Sequence, residues 1–219
     1  MRIQRNDLVN QVYDRLKENI INGNLAPHTP LRQEDLADSL GVSRQPISHA
    51  LVLLEREGLI TDLGRKSKMV TPVAPQQLLN LYQVRAELDG LAASLCAVNV
   101  SSVLENRLET VLKAGRDAAE VGSVDALLEA DIAFHRTLYE FSGNPEIARM
   151  ADNSWSHVVR AMHQVLKEQQ IHRPIWDDHM QIAAAILRGD GANASELARS
   201  HANSSGELTF QRLNRLEEQ

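Results

Sequence analysis

The sequence predicts a mainly α-helical protein with two domains: an N-terminal winged helix-turn-helix with a small β-hairpin wing, and a C-terminal all-α bundle of six helices. Leu and Ala are abundant, whereas aromatic residues make up only 4% of the 219 residues, which favours helices over sheets. Apolar residues recur three and four positions apart over long stretches, as on one face of a helix. Two prolines, Pro72 and Pro75, disfavour helix and predict a boundary between residues 1–72 and 73–219.

The first domain is expected to hold three helices and a hairpin. Leu8, Val12, Leu16 and Ile20 share one face of the first helix. Gly41 makes a tight turn between the next two helices, and Ser43 suits the N-cap of the third. In chain order we expect helices near 7–22, 33–40 and 43–58, then strands at 59–62 and 69–73 around a polar turn at 64–68.

The second domain is expected to be entirely helical. Turn-forming residues separate several of its periodic stretches, as at Gly122-Ser123, Gly143-Asn144-Pro145 and Gly189-Asp190-Gly191. Six helices in about 145 residues predict a bundle. The expected helices lie near 75–98, 101–121, 124–142, 145–168, 171–189 and 191–216.

Charge and composition narrow the class of protein. The net charge is −6, but residues 1–72 carry 10 Lys and Arg against 9 Asp and Glu, while residues 73–219 carry 13 against 20. This asymmetry indicates two modules with different partners. The single cysteine, Cys96, fits a reducing compartment, and no signal peptide or apolar run of about 18 residues is seen. We therefore expect a cytoplasmic protein with no membrane partner.

Four potential metal ligands lie on helical stripes that are otherwise apolar. Asp131 and His135 are one helical turn apart, and His179 and His201 lie about equally far from the turn that joins the last two expected helices. Buried carboxylates and imidazoles need partners, and a divalent metal would serve all four. Zinc suits this set best, with nickel, manganese or iron possible if waters complete the shell. The alternative is that each histidine is a core residue bonded to a backbone carbonyl.

Arg85 also interrupts an apolar stripe. A buried guanidinium needs an anion. Glu87, Asp89 or a carboxylate of another helix could supply it, although Glu87 and Asp89 are expected to point elsewhere on the helix. The other possibility is a small carboxylate effector held between Arg85 and the metal, with Tyr82 lining the same cavity.

The start of the third helix is the predicted DNA reader. In a winged helix-turn-helix, residues at this position meet base edges in the major groove. Arg44 can bind guanine or a phosphate, and Gln45 can read adenine, while cations of the hairpin turn can reach phosphates or the minor groove. The alternative is that these are ordinary surface cations. The predicted contacts to double-stranded DNA are Ser43, Arg44, Gln45, Ser48, His49, Gly64, Arg65, Lys66 and Lys68.

Two sets of residues carry a family resemblance over nearly the whole chain. One is Glu34-Asp35-Leu36-Ala37, Leu40-Gly41-Val42-Ser43-Arg44-Gln45-Pro46-Ile47 and Glu57-Gly58-Leu59-Ile60; the other is Val84-Arg85-Ala86-Glu87-Leu88 with Asp131…Phe134-His135. The first resembles the GntR family of bacterial transcription regulators, and the second resembles the FCD-type helical effector domain of its FadR branch. The resemblance implies a homodimeric regulator that responds to a small carboxylate, with metal bound by Asp131, His135, His179 and His201.

The recognition helix departs from the family pattern. The family usually places Arg-Glu after the Pro-Ile pair, where this chain has Ser48-His49. Contacts made by that arginine in relatives are therefore not transferred to this chain, and the operator sequence stays open.

The expected function is a transcription regulator, in the first instance a repressor, whose operator affinity depends on an organic acid bound at the metal. One alternative is the same regulator with a purely structural metal. Another is a helical metallohydrolase, which lacks an evident general base near Asp131 and His135 and gives residues 1–72 no purpose.

Overall fold

The computed structural model describes residues 6–64, 67–168 and 171–217. The backbone separates into two units, Met1–Val73 and Ala74–Gln219. Among the described residues, no helix is both long enough and apolar enough to span a membrane.

The first unit has the predicted helix-turn-helix with a wing. Gly41 ends the second helix at φ 65°, a left-handed conformation that glycine adopts without strain. Ser43 precedes the third helix as expected, but its side chain makes no capping hydrogen bond. The elements are α1 (Asn6–Ile21), β1 (Pro30–Arg32), α2 (Gln33–Leu40), α3 (Arg44–Arg56), β2 (Ile60–Gly64) and β3 (Ser67–Val70).

The wing is a three-stranded antiparallel sheet rather than a hairpin alone. Its strand order is β1-β3-β2, with Leu31 opposite Lys68 and Ile60 opposite Val70. Strand β1 was not predicted, because three residues that begin with a proline give no alternating pattern. The turn is also shorter than predicted, since β2 extends to Gly64 and β3 begins at Ser67.

One apolar core holds the first unit together. It joins Leu16 and Ile20 of α1 to Leu51 and Leu54 of α3 and to Val70 of the sheet. Burial of these side chains fixes the inner face of α3 and leaves its N-terminal end outward.

The second unit is all-helical in its described residues. Side chains cap four of its described helices: Ser101 accepts from the Leu104 amide, Ser123 from the Ala126 amide, Asn144 from the Glu146 amide and Asp190 from the Asn193 amide. These caps explain why the turn residues of the sequence mark helix starts so closely. The helices are α4 (Pro75–Val98), α5 (Ser102–Val121), α6 (Val124–Phe141), α7 (Pro145–Val165), α8 (His172–Leu187) and α9 (Gly191–Glu217).

Helices α4 and α9 approach each other closely. A Cβ added to Gly206 of α9 would lie 2.6 Å from the Tyr82 Cβ of α4, a distance that real Cβ atoms do not reach. Glycine at this position therefore lets α9 approach Tyr82 and sets the wall of the cavity described below.

Candidate metal centre and nucleic-acid interface

Three helices bring the predicted donors together. Asp131 and His135 share the inner face of α6, His179 comes from α8 and His201 from α9. All four are buried, and one potential ligand atom from each lies within 4.8 Å of the others. Residues far apart in sequence thus form one cluster of lone-pair donors.

The distances between donor atoms suit a shared ion. The Nε2 atom of His179 lies 3.4 Å from Nε2 of His135 and 3.5 Å from Oδ1 of Asp131. The distance between His135 Nε2 and Asp131 Oδ1 is 3.9 Å. A tetrahedral ion with bonds of about 2.0–2.1 Å holds its donors roughly 3.3 Å apart. The spacing is therefore close to that of a small divalent cation's ligands.

The electrostatics of the cluster favour neutral imidazoles at His135 and His179. Burial lowers the pKa of His135, and the Arg85 charge lowers it further. Burial also lowers the pKa of His179 well below its usual value, with His201 and His135 adding to the effect. Neutral imidazoles offer lone pairs, as metal ligation requires. Since Asp131 Oδ2 has no hydrogen-bond partner among the described residues, this donor set fits a divalent ion.

Two carboxylates outside the cluster contact its histidines. Asp89 Oδ2 lies 3.3 Å from His135 Nδ1, and Asp178 Oδ2 lies 3.3 Å from His201 Nδ1. Asp89 is fully buried, whereas Asp178 is half exposed. Burial raises the pKa of Asp89, but His135 and Arg85 outweigh it and bring the pKa to about 2, so this carboxyl is ionised.

Asp89 corrects the expectation for Arg85. The Arg85 Nε atom lies 3.2 Å from Asp89 Oδ2, so this near neighbour does not point elsewhere. Glu87 does, since it pairs with Arg199. Asp89 was not predicted as a site residue, although its spacing four residues after Arg85 was the available signal. Arg85 is 4% exposed and also lies over the Trp155 ring, 4.5 Å from the centroid.

A small cavity adjoins the cluster. Apolar side chains of α7, α8 and α9 form part of its wall, and its polar lining residues are Tyr82, Arg85, Asp131, His201, Ser205 and Thr209. It has about 20 Å³ for the centres of water-sized molecules, whereas one water needs about 10–15 Å³. The cavity has room for only one or two water-sized molecules, so a larger ligand requires its walls to move.

The N-terminal end of α3 presents the predicted DNA-contacting side chains outward. Ser43, Arg44, Gln45 and His49 are exposed, and Ser48 is half-buried. Arg44 pairs with Glu34 at 2.8 Å, with both side chains about two-thirds exposed. Exposed ion pairs are worth about 0–1 kcal/mol, so a phosphate can replace Glu34 at small cost.

The wing is described only in part. Gly64 is exposed at the end of β2, whereas Arg65 and Lys66 lie outside the described residues. Lys68 belongs to β3 instead of the turn and contacts two carboxylates, Glu55 at 2.7 Å and Asp62 at 3.5 Å. Its hydrogen bond to Glu55 outweighs desolvation and raises the pKa of Lys68. Lys68 is therefore less available to DNA than Arg44.

These two units define the class of protein: a DNA-binding transcription regulator with a helical second unit. The family model for bacterial regulatory proteins of the gntR family matches residues 8–70, and the FCD domain model matches residues 80–204. The chain therefore belongs to the GntR family of bacterial transcription regulators and carries an FCD domain.

Individual relatives agree with this assignment. The chain is 29% identical over 201 residues to the HTH-type transcriptional regulator YdhC of Bacillus subtilis (strain 168), covering 88% of this chain and 87% of YdhC. It is 27% identical to the transcriptional repressor GlaR of Escherichia coli (strain K12), covering 86% and 90%. The solved structure of E. coli McbR/YncC has the same fold, with a TM-score of 0.81 at 22% identity, covering 94% of this chain and 99% of that chain. Proteins of this class are not enzymes, and the metallohydrolase alternative is set aside.

Proposed function

We propose that the chain binds operator DNA as a homodimer through residues 1–72 and adjusts its affinity when a small carboxylate binds in residues 73–219. The single observation that carries the proposal is the buried cluster of Asp131, His135, His179 and His201 beside a cavity lined by Arg85. Zinc is the proposed ion, because one carboxylate and three imidazoles suit its coordination. Nickel, manganese and iron fit the same donors if waters expand the shell.

The effector we propose is a small organic acid. Its carboxylate would lie between the ion and Arg85, because Arg85 lines the same cavity as the proposed metal ligands Asp131 and His201. Arg85 has an outer nitrogen 3.9 Å from Asp131 Oδ2. Since an ion bound to Asp131 would neutralise that carboxylate, this edge of the guanidinium would be free to bind the ligand. Tyr82 forms part of the same wall and can limit the ligand's size.

The ligand can change DNA affinity only by favouring one conformation of the protein. The cavity is too small for an organic acid unless its walls move. Helices α8 and α9 supply His179, His201 and much of the cavity wall. We therefore expect ligand binding to shift these helices.

The proposed DNA contacts centre on Arg44 and Gln45. Both are exposed at the start of α3, where a recognition helix meets base edges. The same surface includes Ser43, Ser48 and His49. The proposed contacts to the DNA phosphate backbone are Gly64, Arg65 and Lys66. Lys68 could join them only by leaving Glu55 and Asp62.

The outer face of α4 supports the homodimer. Val84, Leu91 and Val98 are seven residues apart and 62%, 43% and 77% exposed, and Leu88 and Leu95 between them are half-buried. Spacing of this kind forms the apolar seam of packed helices. The neighbouring Glu87 is neutralised by Arg199 of the same chain, so two copies can approach without unbalanced charge. An exposed apolar stripe on a helix marks an interaction surface, and a second copy is the proposed cover.

A second candidate is the same regulator with a purely structural metal. The small cavity and the ion pair of Arg85 with Asp89 favour it, because the cavity has no room for an organic acid and Asp89 already balances the Arg85 charge. In this case the ion would stabilise the second unit and the signal would enter elsewhere.

One experiment separates these candidates. Purified protein is analysed for bound metal and then titrated onto a labelled DNA fragment from upstream of its own gene, with and without a panel of hydroxy acids, sugar acids and dicarboxylates. The proposal expects bound metal, operator binding, and an affinity change with at least one acid that disappears after chelation. Metal and operator binding with no response to any acid would support the structural metal. Absence of operator binding at low salt would overturn both.

A further inference from the structure

Asp89 is a fully buried carboxylate that contacts three other buried polar groups. The Tyr139 hydroxyl donates to its Oδ1 at 2.5 Å. Its Oδ2 lies 3.2 Å from Arg85 Nε and 3.3 Å from His135 Nδ1. A charge buried this completely must be compensated by its neighbours. Here those neighbours are a proposed metal ligand and the proposed effector-binding arginine.

The contact with His135 fixes which of its nitrogens can bind metal. Neutral imidazole carries one proton, on Nδ1 or on Nε2. Nδ1 has no hydrogen-bond partner of good geometry among the described residues, but the negative charge of a carboxylate oxygen 3.3 Å away favours the proton there. The lone pair then lies on Nε2, the nitrogen that faces His179 and Asp131. Asp89 thereby holds His135 in the tautomer that ligation needs.

The same carboxylate oxygen also directs Arg85. Because Asp89 lies at the Nε edge of the guanidinium, the terminal nitrogens are left for other partners. One of them is 3.9 Å from Asp131, and the residue lines the cavity. Loss of Asp89 would let the guanidinium rotate and would leave its charge beside His135 unbalanced.

We infer that Asp89 is a positioning residue that aligns His135 for the metal and Arg85 for the effector carboxylate. The inference rests on the proposed function and adds to it a physical link between the two ligands. A group that orients a metal-binding histidine typically affects metal affinity about 10–100-fold. Asp89 should therefore affect metal binding and effector response together.

The test compares Asp89→Asn with Glu87→Gln. Glu87 is on the same helix, but its side chain is 69% exposed and paired with Arg199, so it is a matched control for the loss of one carboxylate from α4. Zinc affinity of the full-length protein is measured by competition with a chromophoric chelator. Asp89→Asn should bind zinc about 10–100-fold more weakly, and Glu87→Gln should bind it as the unaltered protein does.

A second measurement needs no metal. Nitrogen-15 NMR distinguishes the two tautomers of His135 in the metal-free protein. The unaltered protein and Glu87→Gln should show the proton on Nδ1, and Asp89→Asn should lose that preference. If Asp89→Asn keeps both the tautomer and the zinc affinity, the inference is wrong.

Tyr139→Phe keeps the inference testable if Asp89→Asn does not fold. It removes only the hydroxyl that orients Asp89, and it should weaken zinc binding in the same direction by less than Asp89→Asn. Unchanged affinity and tautomer in Tyr139→Phe would then overturn the inference. If the unaltered protein binds none of zinc, nickel, manganese and iron, the metal site of the proposed function fails, while the His135 tautomer still decides whether Asp89 positions that ring.

Discussion

Individual residues of the candidate site were predictable where a polar group interrupts an apolar stripe. Asp131, His135, His179 and His201 were found in this way, and the structure brings them together. Asp89 was not, because a carboxylate four residues from an arginine on a helix is common on surfaces as well as in cores. Its role depends on Tyr139 and His135, which are 50 and 46 residues away in sequence. Such contacts need the packed structure.

His201→Ala should weaken metal binding more than loss of an outer-shell partner does, since it removes a donor itself. Loss of a residue that only orients a ligand lowers metal affinity about 10–100-fold, so His201→Ala should lower metal affinity by more than this. Chelator should also lower the thermal midpoint of the unaltered protein, because an ion at 100 times its Kd stabilises the folded state by about 2.7 kcal/mol. Metal analysis and melting curves with and without chelator check both statements. If His201→Ala keeps its full metal content and the full chelator-induced shift in thermal midpoint, His201 is not a metal ligand.

Arg85→Lys should impair the response to the effector while metal stays bound. Lysine keeps the charge but lacks the planar guanidinium that contacts Asp89 and the cavity together. Loss of one hydrogen bond to a charged group, about 1.5–3 kcal/mol, corresponds to roughly 10- to 150-fold weaker effector binding. The concentration of acid that half-changes operator affinity measures this. Arg199→Lys, at a more exposed pair on α9, is the control, and equal behaviour of the two variants would argue that Arg85 is structural.

Secondary-structure elements were predicted more completely than side-chain contacts. All six expected helices of the second unit are present within a few residues of their predicted ends, because periodic stretches and capping residues are local signals. In the first unit, β1 was missed and the wing turn was drawn too long. Short strands are defined by their partners, and Lys68 pairs with Glu55 of α3 through contacts that no local pattern contains.

Recognition helix α3 provides the prediction at this scale. Arg44→Ala should weaken operator binding without unfolding the protein, because the side chain is 65% exposed. If Arg44 contacts a phosphate, its loss should reduce the slope of log affinity against log salt concentration by about one for all DNA sequences. If it contacts a guanine, its loss should weaken the preference for that base by about 1–3 kcal/mol. Fluorescence anisotropy at several salt concentrations, on operator and unrelated DNA, separates these results. Arg116→Ala, an exposed cation of α5, controls for net charge; the same loss there would deny Arg44 a specific role.

The whole molecule combines units of opposite character. Residues 1–72 have a net charge of +1, and residues 73–219 have a net charge of −7. An acidic second unit is repelled by phosphates, so DNA contact is favoured at the first unit. Operators with two half-sites about 34 Å apart require two recognition helices at a fixed separation. Dimer geometry is thus the quantity through which an effector in one unit could change DNA binding by the other.

The outer face of α4 gives a direct test of that dimer. Leu91→Glu places a charge at the centre of the stripe formed by Val84, Leu91 and Val98, and an interface there would have to bury two unpaired carboxylates. We expect a monomer by sedimentation velocity and much weaker binding to a two-half-site operator. The isolated chain should keep its thermal stability, because Leu91 is already 43% exposed.

Val121→Glu is the matched control, since Val121 is 80% exposed at the end of α5 and lies off the α4 stripe. It should remain dimeric and bind operator normally. If Leu91→Glu also keeps its dimeric mass and operator affinity, the two copies associate through another surface. A movement of α4 caused by ligand at Arg85 would then have no direct route to the spacing of the recognition helices. A monomeric Leu91→Glu would instead place the proposed dimer interface on the same helix as Arg85, so that a ligand bound at Arg85 could act on the dimer through α4.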